Sequence, residues 1–247
     1  MSGEVWTEPV RHPALAEGEV HVWRARLDTD ADRRAMLATL LSADERERAG
    51  RFVFDRDRDR YVVGRGSLRM LLGRYLKTPP AQLRFTYGPR GKPALAAGAP
   101  ALPHFNLAHS GDLAVYALAL ERDVGVDVEA VRPDFATDAI ARRFFSPHEV
   151  AALRALPAAQ RLTAFFSCWT RKEAYIKAQG DGLSLPLDSF DVTLGPDVPA
   201  ALVSTRPDTA EASRWSLAAL TPGDGYAGAV VTAGSDCQLR CWDLRAI

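Results

Sequence analysis

The sequence predicts an α+β fold, and three observations carry that prediction. Strand-like alternation and helical periodicity both occur along the chain, but they do not alternate strictly as a doubly wound sheet requires. The order strand, helices, strands appears once before about Asp123 and again after it. The 247 residues allow one large domain or two modest ones, and the recurrence favours two related halves, 1–123 and 124–247.

Residues 19–22 open the first half. Val20 and Val22 fall on one face and Glu19 and His21 on the other, as in a half-buried strand running into Trp23. Residues 29–41 and 42–50 read as helices, the second opening with Ser42 and Glu45 at capping-box spacing. Residues 61–76 repeat apolar side chains at Leu68, Leu71, Leu72, Tyr75 and Leu76, the stripe of a core-facing helix. Thr78, Pro79 and Pro80 end it, because proline removes a donor and restricts the residue before it. A short strand is expected over 83–87, then a loop over 88–103 rich in Gly, Pro and Ala.

Residues 113–120 and 124–128 read as strands separated only by Glu121, Arg122 and Asp123, and so are expected to pair antiparallel. A helical stretch follows over 138–156, then a stronger helix over 158–179. Strands are expected over 190–194, 215–220, 226–231 and 239–242.

Composition narrows the function. Lys plus Arg and Asp plus Glu stand at 31 each, which argues against chain-wide attraction to nucleic acid or an acidic membrane. Residues 1–8 lack a basic-then-apolar signal pattern, and no run approaches the roughly 18 apolar residues of a membrane span. A cytoplasmic protein is expected. Cys168, Cys237 and Cys241 are an odd set without zinc-site spacing, so reduced thiols are expected.

Three segments carry candidate chemistry. In Gly125-Val126-Asp127-Val128-Glu129, alternation places both carboxylates on one strand face. Such a pair fits either a solvated face or a magnesium ion, which takes one or two carboxylates completed by phosphates and water. On the 158–179 helix, Leu162, Phe165, Phe166, Trp169 and Ile176 form an apolar stripe that includes Glu173, flanked by Lys172 and Lys177. Glu173 and Lys177 also have the i to i+4 spacing of a plain helical ion pair, worth only about 0.2–0.5 kcal/mol. The third segment, 105–112, reads as a turn-rich link in which His109 and Ser110 could donate to a phosphate. Arg48, Arg60 and Arg65 belong to a densely charged stretch over 46–65, most of it a solvated helix face; Arg65 has glycine on either side. The loop Gly88-Pro89-Arg90-Gly91-Lys92-Pro93 suits an anion or a surface turn.

Taken together, Gly-Lys-Pro at 91–93, Phe-Asn-Leu-Ala-His-Ser-Gly at 105–111, Gly-Val-Asp-Val-Glu at 125–129 and Trp-Thr-Arg-Lys-Glu-Ala-Tyr-Ile-Lys at 169–177 resemble the surfactin-type 4'-phosphopantetheinyl transferases in order and spacing. The resemblance implies two similar α+β halves about a pseudo-twofold axis, with coenzyme A and Mg2+ in the cleft between them. It implies nucleotide and 3'-phosphate contacts from 1–123 and the magnesium site and catalytic helix from 124–247.

By the same resemblance Asp127, Glu129 and Glu173 would hold the metal. Lys177 and Lys172 would meet phosphate oxygens, and Lys92 and Ser110 would also face the cofactor. His109, Arg60, and Arg48 or Arg65 would surround the 3'-phosphate. Glu173 would be the base, directly or through metal-bound water. The acceptor would be a serine on an acyl- or peptidyl-carrier protein of a fatty-acid, polyketide or nonribosomal peptide synthase, and a monomer is expected. Ala108 departs from the pattern, standing where many relatives carry serine, which puts one phosphate contact in doubt. A non-catalytic coenzyme A or carrier-protein binding module and a magnesium phosphohydrolase are the alternatives.

Overall fold

The computed structural model describes residues 6–8, 13–89, 91–96, 103–180 and 185–244. The chain is α+β, built from two stacked sheets, each covered on its outer side by a 22-residue helix. The first sheet runs in the order β1 (Trp6–Thr7), β12 (Gln238–Asp243), β2 (Glu19–Arg26), β6 (Leu113–Leu120), β5 (Pro103–Ser110). Its β1–β12 and β12–β2 pairs are parallel and the rest antiparallel. The second sheet, β10 (Trp215–Leu220), β11 (Tyr226–Ala233), β7 (Val124–Ala130), is wholly antiparallel.

Strand β6 shows why the layers form. Ala114, Tyr116 and Leu118 enter the core under α3 (Asp55–Leu76), while Val115, Ala117 and Ala119 meet the second sheet. A strand covered on both faces buries nearly every side chain, so its sequence is apolar throughout. On α3, Leu68, Leu71 and Leu72 are fully buried. Helix α1 (Ala31–Thr39) lies against it so closely that a Cβ on Gly66 would come within 2.7 Å of Leu37 Cβ. Helix α2 (Ala43–Gly50) carries the expected capping box, the Ser42 amide donating to Glu45 at 2.9 Å.

The second half repeats the layering. Val124, Val126 and Val128 of β7 point into the core between the sheets. Gly125, Asp127 and Glu129 therefore face α6 (Ala158–Gln179). A Cβ on Gly125 would lie 2.1 Å from the Ala174 carbonyl oxygen, so only glycine admits the helix at this distance.

Several expectations are corrected. Strands β6 and β7 do not pair: Glu121, in the left-handed region at φ 53, turns the chain out of the first sheet and into the second. The polar face of β2 is not solvated, because α3 packs over it; His21 is buried between Tyr75 of that helix, Glu19 and Trp242. Residues 105–110 are not a link but part of β5, whose Asn106 and Ser110 side chains face the other half and so leave no plain apolar alternation.

The 138–156 stretch is two helices, α4 (Asp138–Phe144) and α5 (Pro147–Ala155), broken where Ser146 caps the second and Pro147 occupies its first turn. A hairpin of β3 (Phe85–Tyr87) and β4 (Pro93–Leu95) occupies part of the expected loop; Arg90 and residues 97–102 lie outside the described residues. A two-stranded sheet pairs β8 (Phe190–Val192) with β9 (Leu202–Thr205), the latter unforeseen. The halves are not contiguous, since β12 returns to the first sheet. Cys168, Cys237 and Cys241 carry thiols rather than disulfides, and no helix among the described residues is long and apolar enough to cross a membrane.

Candidate active site at the junction of the two sheets

The site is built where β5 meets the outer edge of β7. Alternation turns the side chains of Asn106, Ala108 and Ser110 toward β7, and two of them bind its backbone. Asn106 Oδ1 accepts from the Val126 amide at 2.9 Å, and Ser110 Oγ accepts from the Ala130 amide at 3.1 Å. Ser110 also donates to Glu129 Oε2 at 2.7 Å, so the first half reaches directly onto one of the carboxylates. Ala108 packs into the apolar layer between the sheets.

Helix α6 supplies the remaining charges. Lys177 Nζ donates to Asp127 Oδ1 at 2.6 Å and does not form the helical ion pair with Glu173 that the spacing allowed. Asp127 is buried, and its Oδ2 has no hydrogen-bond partner. Burial pushes its carboxyl up to about 7, with Lys177 pulling the other way and Glu129 and Glu173 adding to the rise. Burial also raises Glu173, and Glu129 adds to it while Lys177 opposes it. Asp127 thus feels both other carboxylates and Glu173 feels Glu129, and a buried oxygen is left unsatisfied among them, the setting in which a cation is favoured.

Among the described residues no group of three or more His, Cys, Asp or Glu side chains forms a ready metal cluster. The carboxylates are partly engaged by Lys177 and Ser110. This donor chemistry still fits magnesium, which needs only one or two carboxylates when phosphates and water supply the remaining oxygens.

His109 is the bridge to α3. Desolvation lowers its imidazole pKa, as do the nearby Lys177 and Arg60, while Glu129 opposes them. Arg60 on α3 is itself held by the Asp112 carboxylate. His109, Ser110, Arg60, Asp127, Glu129, Glu173 and Lys177 are therefore brought together from both halves.

Other predicted residues go elsewhere. Lys172 meets no cleft: its ammonium is buried against Glu149 at 2.8 Å and donates to the carbonyls of Leu187 and Phe190. The helical wheel placed it beside the apolar stripe but could not show that the segment 187–190 covers it. Arg65 is likewise turned inward, its Nε donating to Glu45 and its Nη2 to Tyr87 at 2.5 Å each. Arg48 lies over the Tyr61 ring and lines a separate cleft of about 630 Å³ with Phe52, Tyr87 and Gly91. Lys92 Nζ donates to the backbone carbonyls of Lys177 and Val124. Asn106 and Asp112 were not singled out as site residues, although both stand in the segment that was.

The chain matches two family models: the 4'-phosphopantetheinyl transferase N-terminal model over residues 28–121 and the 4'-phosphopantetheinyl transferase superfamily model over residues 123–231. It is 42% identical over 243 residues to the 4'-phosphopantetheinyl transferase HetI of Nostoc sp., covering 98% of this chain and 99% of that protein. A putative 4'-phosphopantetheinyl transferase of Synechocystis sp. is 39% identical over 178 residues, 72% of this chain and 71% of its own length. The 4'-phosphopantetheinyl transferase Sfp of Bacillus subtilis is 35% identical over 161 residues, 64% of this chain and 69% of its own. With matched models on both halves, a relative aligned almost end to end, and a charged site at the junction those halves share, this chain belongs to the 4'-phosphopantetheinyl transferase superfamily.

Proposed function

We propose that this phosphopantetheinyl transferase moves the 4'-phosphopantetheine group of coenzyme A to a serine of an apo acyl- or peptidyl-carrier protein, with magnesium as its cofactor. The observation that carries this reading is the meeting of Asp127, Glu129, Glu173 and Lys177 with His109 at the junction of the halves. A pyrophosphate needs cations around it and a counter-charged metal beside it, and this junction sets Lys177 and Arg60 near three carboxylates that would hold one.

Asp127, Glu129 and Glu173 are the residues that would hold magnesium, and Asp127 Oδ2 is the oxygen left without a partner. Bound magnesium would neutralise charge on the pyrophosphate as its bridge breaks. Lys177 orients and stabilises phosphate oxygens, His109 and Arg60 meet the nucleotide's 3'-phosphate, and the cleft beside Arg48 can accept the nucleotide end of the donor.

The carrier serine oxygen attacks the phosphorus that bears pantetheine, and the bond to the adjoining bridging oxygen breaks. Its proton passes to Glu173, and 3',5'-adenosine bisphosphate leaves with the bridge electrons. A carboxyl raised by burial is a better proton acceptor than a solvated one, which suits Glu173 to this step. Positioning and charge supply most of the acceleration.

The test is intact-mass measurement of several apo carrier proteins after incubation with the chain, coenzyme A and magnesium, with and without chelator. A magnesium-dependent gain of about 340 Da is expected for a transfer that magnesium assists. Unchanged carrier masses alongside measurable coenzyme A binding would overturn transfer, and a gain that survives chelation would overturn the magnesium assignment.

A further inference from the structure

Strand β7 ends its sheet, so one edge of its backbone is not paired to another strand. Side chains of the first half bind that edge. Asn106 takes the Val126 amide, Ser110 takes the Ala130 amide, and Lys92 Nζ donates to the Val124 carbonyl at 3.4 Å. Lys92 alone of these three also reaches α6, donating to the Lys177 carbonyl at 2.5 Å.

That second carbonyl is one of the last four of α6, which have no partner within the helix. It also lies at the negative end of the helix dipole, where a cation is favoured. The Gly180 amide closes the preceding carbonyl, that of Ile176, at 3.2 Å. The final turn of α6 is thus secured by its own glycine cap and by one ammonium from the other half of the chain.

We infer that Lys92 is a positioning residue that acts through Lys177, tying the last turn of α6 to the first residue of β7. Lysine 177 is long and 30% exposed in its side chain, and it keeps the 2.6 Å contact to Asp127 only if its own backbone is fixed relative to β7. Lys92 provides that fixation and does not bind the donor's phosphates, although it lies in the Gly-Lys-Pro segment. The inference rests on the transferase reading for its kinetic consequence only; the clamp itself is a statement about α6.

The experiment compares the full-length chain with Lys92→Met and Lys92→Arg by transfer kinetics and by amide hydrogen exchange over residues 176–180. A small displacement of a catalytic cation is costly, so Lys92→Met should lower kcat about tenfold while the KM for coenzyme A stays within about twofold. Exchange at the Gly180 amide should quicken about tenfold as the turn frays. Lys92→Arg, which keeps a cationic donor, should recover both. If the methionine variant does not fold, Lys92→Gln, with one neutral donor, should show the same changes in smaller measure.

A rise in KM for coenzyme A with kcat and exchange unchanged would overturn the inference and make Lys92 a cofactor ligand. Unchanged exchange in Lys92→Met would overturn it whatever the kinetics. If the unaltered chain transfers to no carrier, the proposed function fails, and the exchange measurement still decides the clamp.

Discussion

Lys177 Nζ lies 2.6 Å from Asp127 Oδ1, while Oδ2 of the same buried carboxylate has no hydrogen-bond partner. One oxygen is neutralised and the other is held unsatisfied. The ionised form of Asp127 is therefore a strained state of the fold, and its pKa stands at about 7 against an ordinary value of 3.8.

The pH dependence of stability follows from that rise. A carboxyl whose folded pKa lies above its unfolded pKa contributes stability that is complete below about pH 3.8 and is lost as pH rises through about 7. Asp127→Asn removes the titration, so between pH 5 and pH 8 its melting temperature should fall less than that of the unaltered chain. Parallel melting curves across that range would show that Asp127 ionises without cost. At pH 8 the variant should also fail to gain the stabilisation that, on the proposed function, magnesium with coenzyme A would confer on the unaltered chain through binding to the folded state.

On the proposed function Glu173 accepts the serine proton, and its removal takes away charge rather than packing. Glu173→Ala should lower kcat by at least about a hundredfold, the lower range for a lost acid–base group, with the circular dichroism spectrum unchanged. Turnover near the original value in saturating magnesium would remove Glu173 from the mechanism.

The site was legible wherever a local period fixed a side chain's direction. Alternation in 125–129 correctly put Asp127 and Glu129 on one face, and the bounds of α6 emerged from its apolar stripe. What stayed hidden was set by distant segments. Strand β5 was obscured because Asn106 and Ser110 are polar for the sake of the β7 edge they bind, and polar residues in a row read as a turn. Strand β12 joins β2 across more than two hundred residues, and no local pattern announces such a return. The i to i+4 spacing of Glu173 and Lys177 was equally ambiguous until Asp127 stood within reach of the ammonium.

Gly125 sets the distance between the carboxylate strand β7 and helix α6. A methyl there would lie 2.1 Å from the Ala174 carbonyl oxygen and 2.3 Å from the Ala178 amide nitrogen, both backbone atoms that cannot rotate away. Gly125→Ala should cost at least about 1–3 kcal/mol by overpacking, measured by urea denaturation. The helix must retreat to accommodate it, so any folded fraction should have lost most of its transfer activity. A variant as stable and active as the original would mean that α6 is not seated by this contact.

Lys172 provides the sharpest test of the difference between a motif position and a working group. It is fully buried, paired with the equally buried Glu149, bonded to two carbonyls and set against the Phe190 ring. Removing one partner of such a pair leaves the other charge uncompensated in the interior, which costs about 3–5 kcal/mol. Lys172→Met should therefore lower the urea midpoint sharply, and any protein still folded should bind coenzyme A with unchanged affinity, because no phosphate ever touched the ammonium. Lys172→Met with Glu149→Gln should recover part of the loss, since the stranded carboxylate is then removed as well. A lysine acting on phosphate would behave in the opposite way, with weaker coenzyme A binding, an unchanged denaturation midpoint and no rescue by the second substitution.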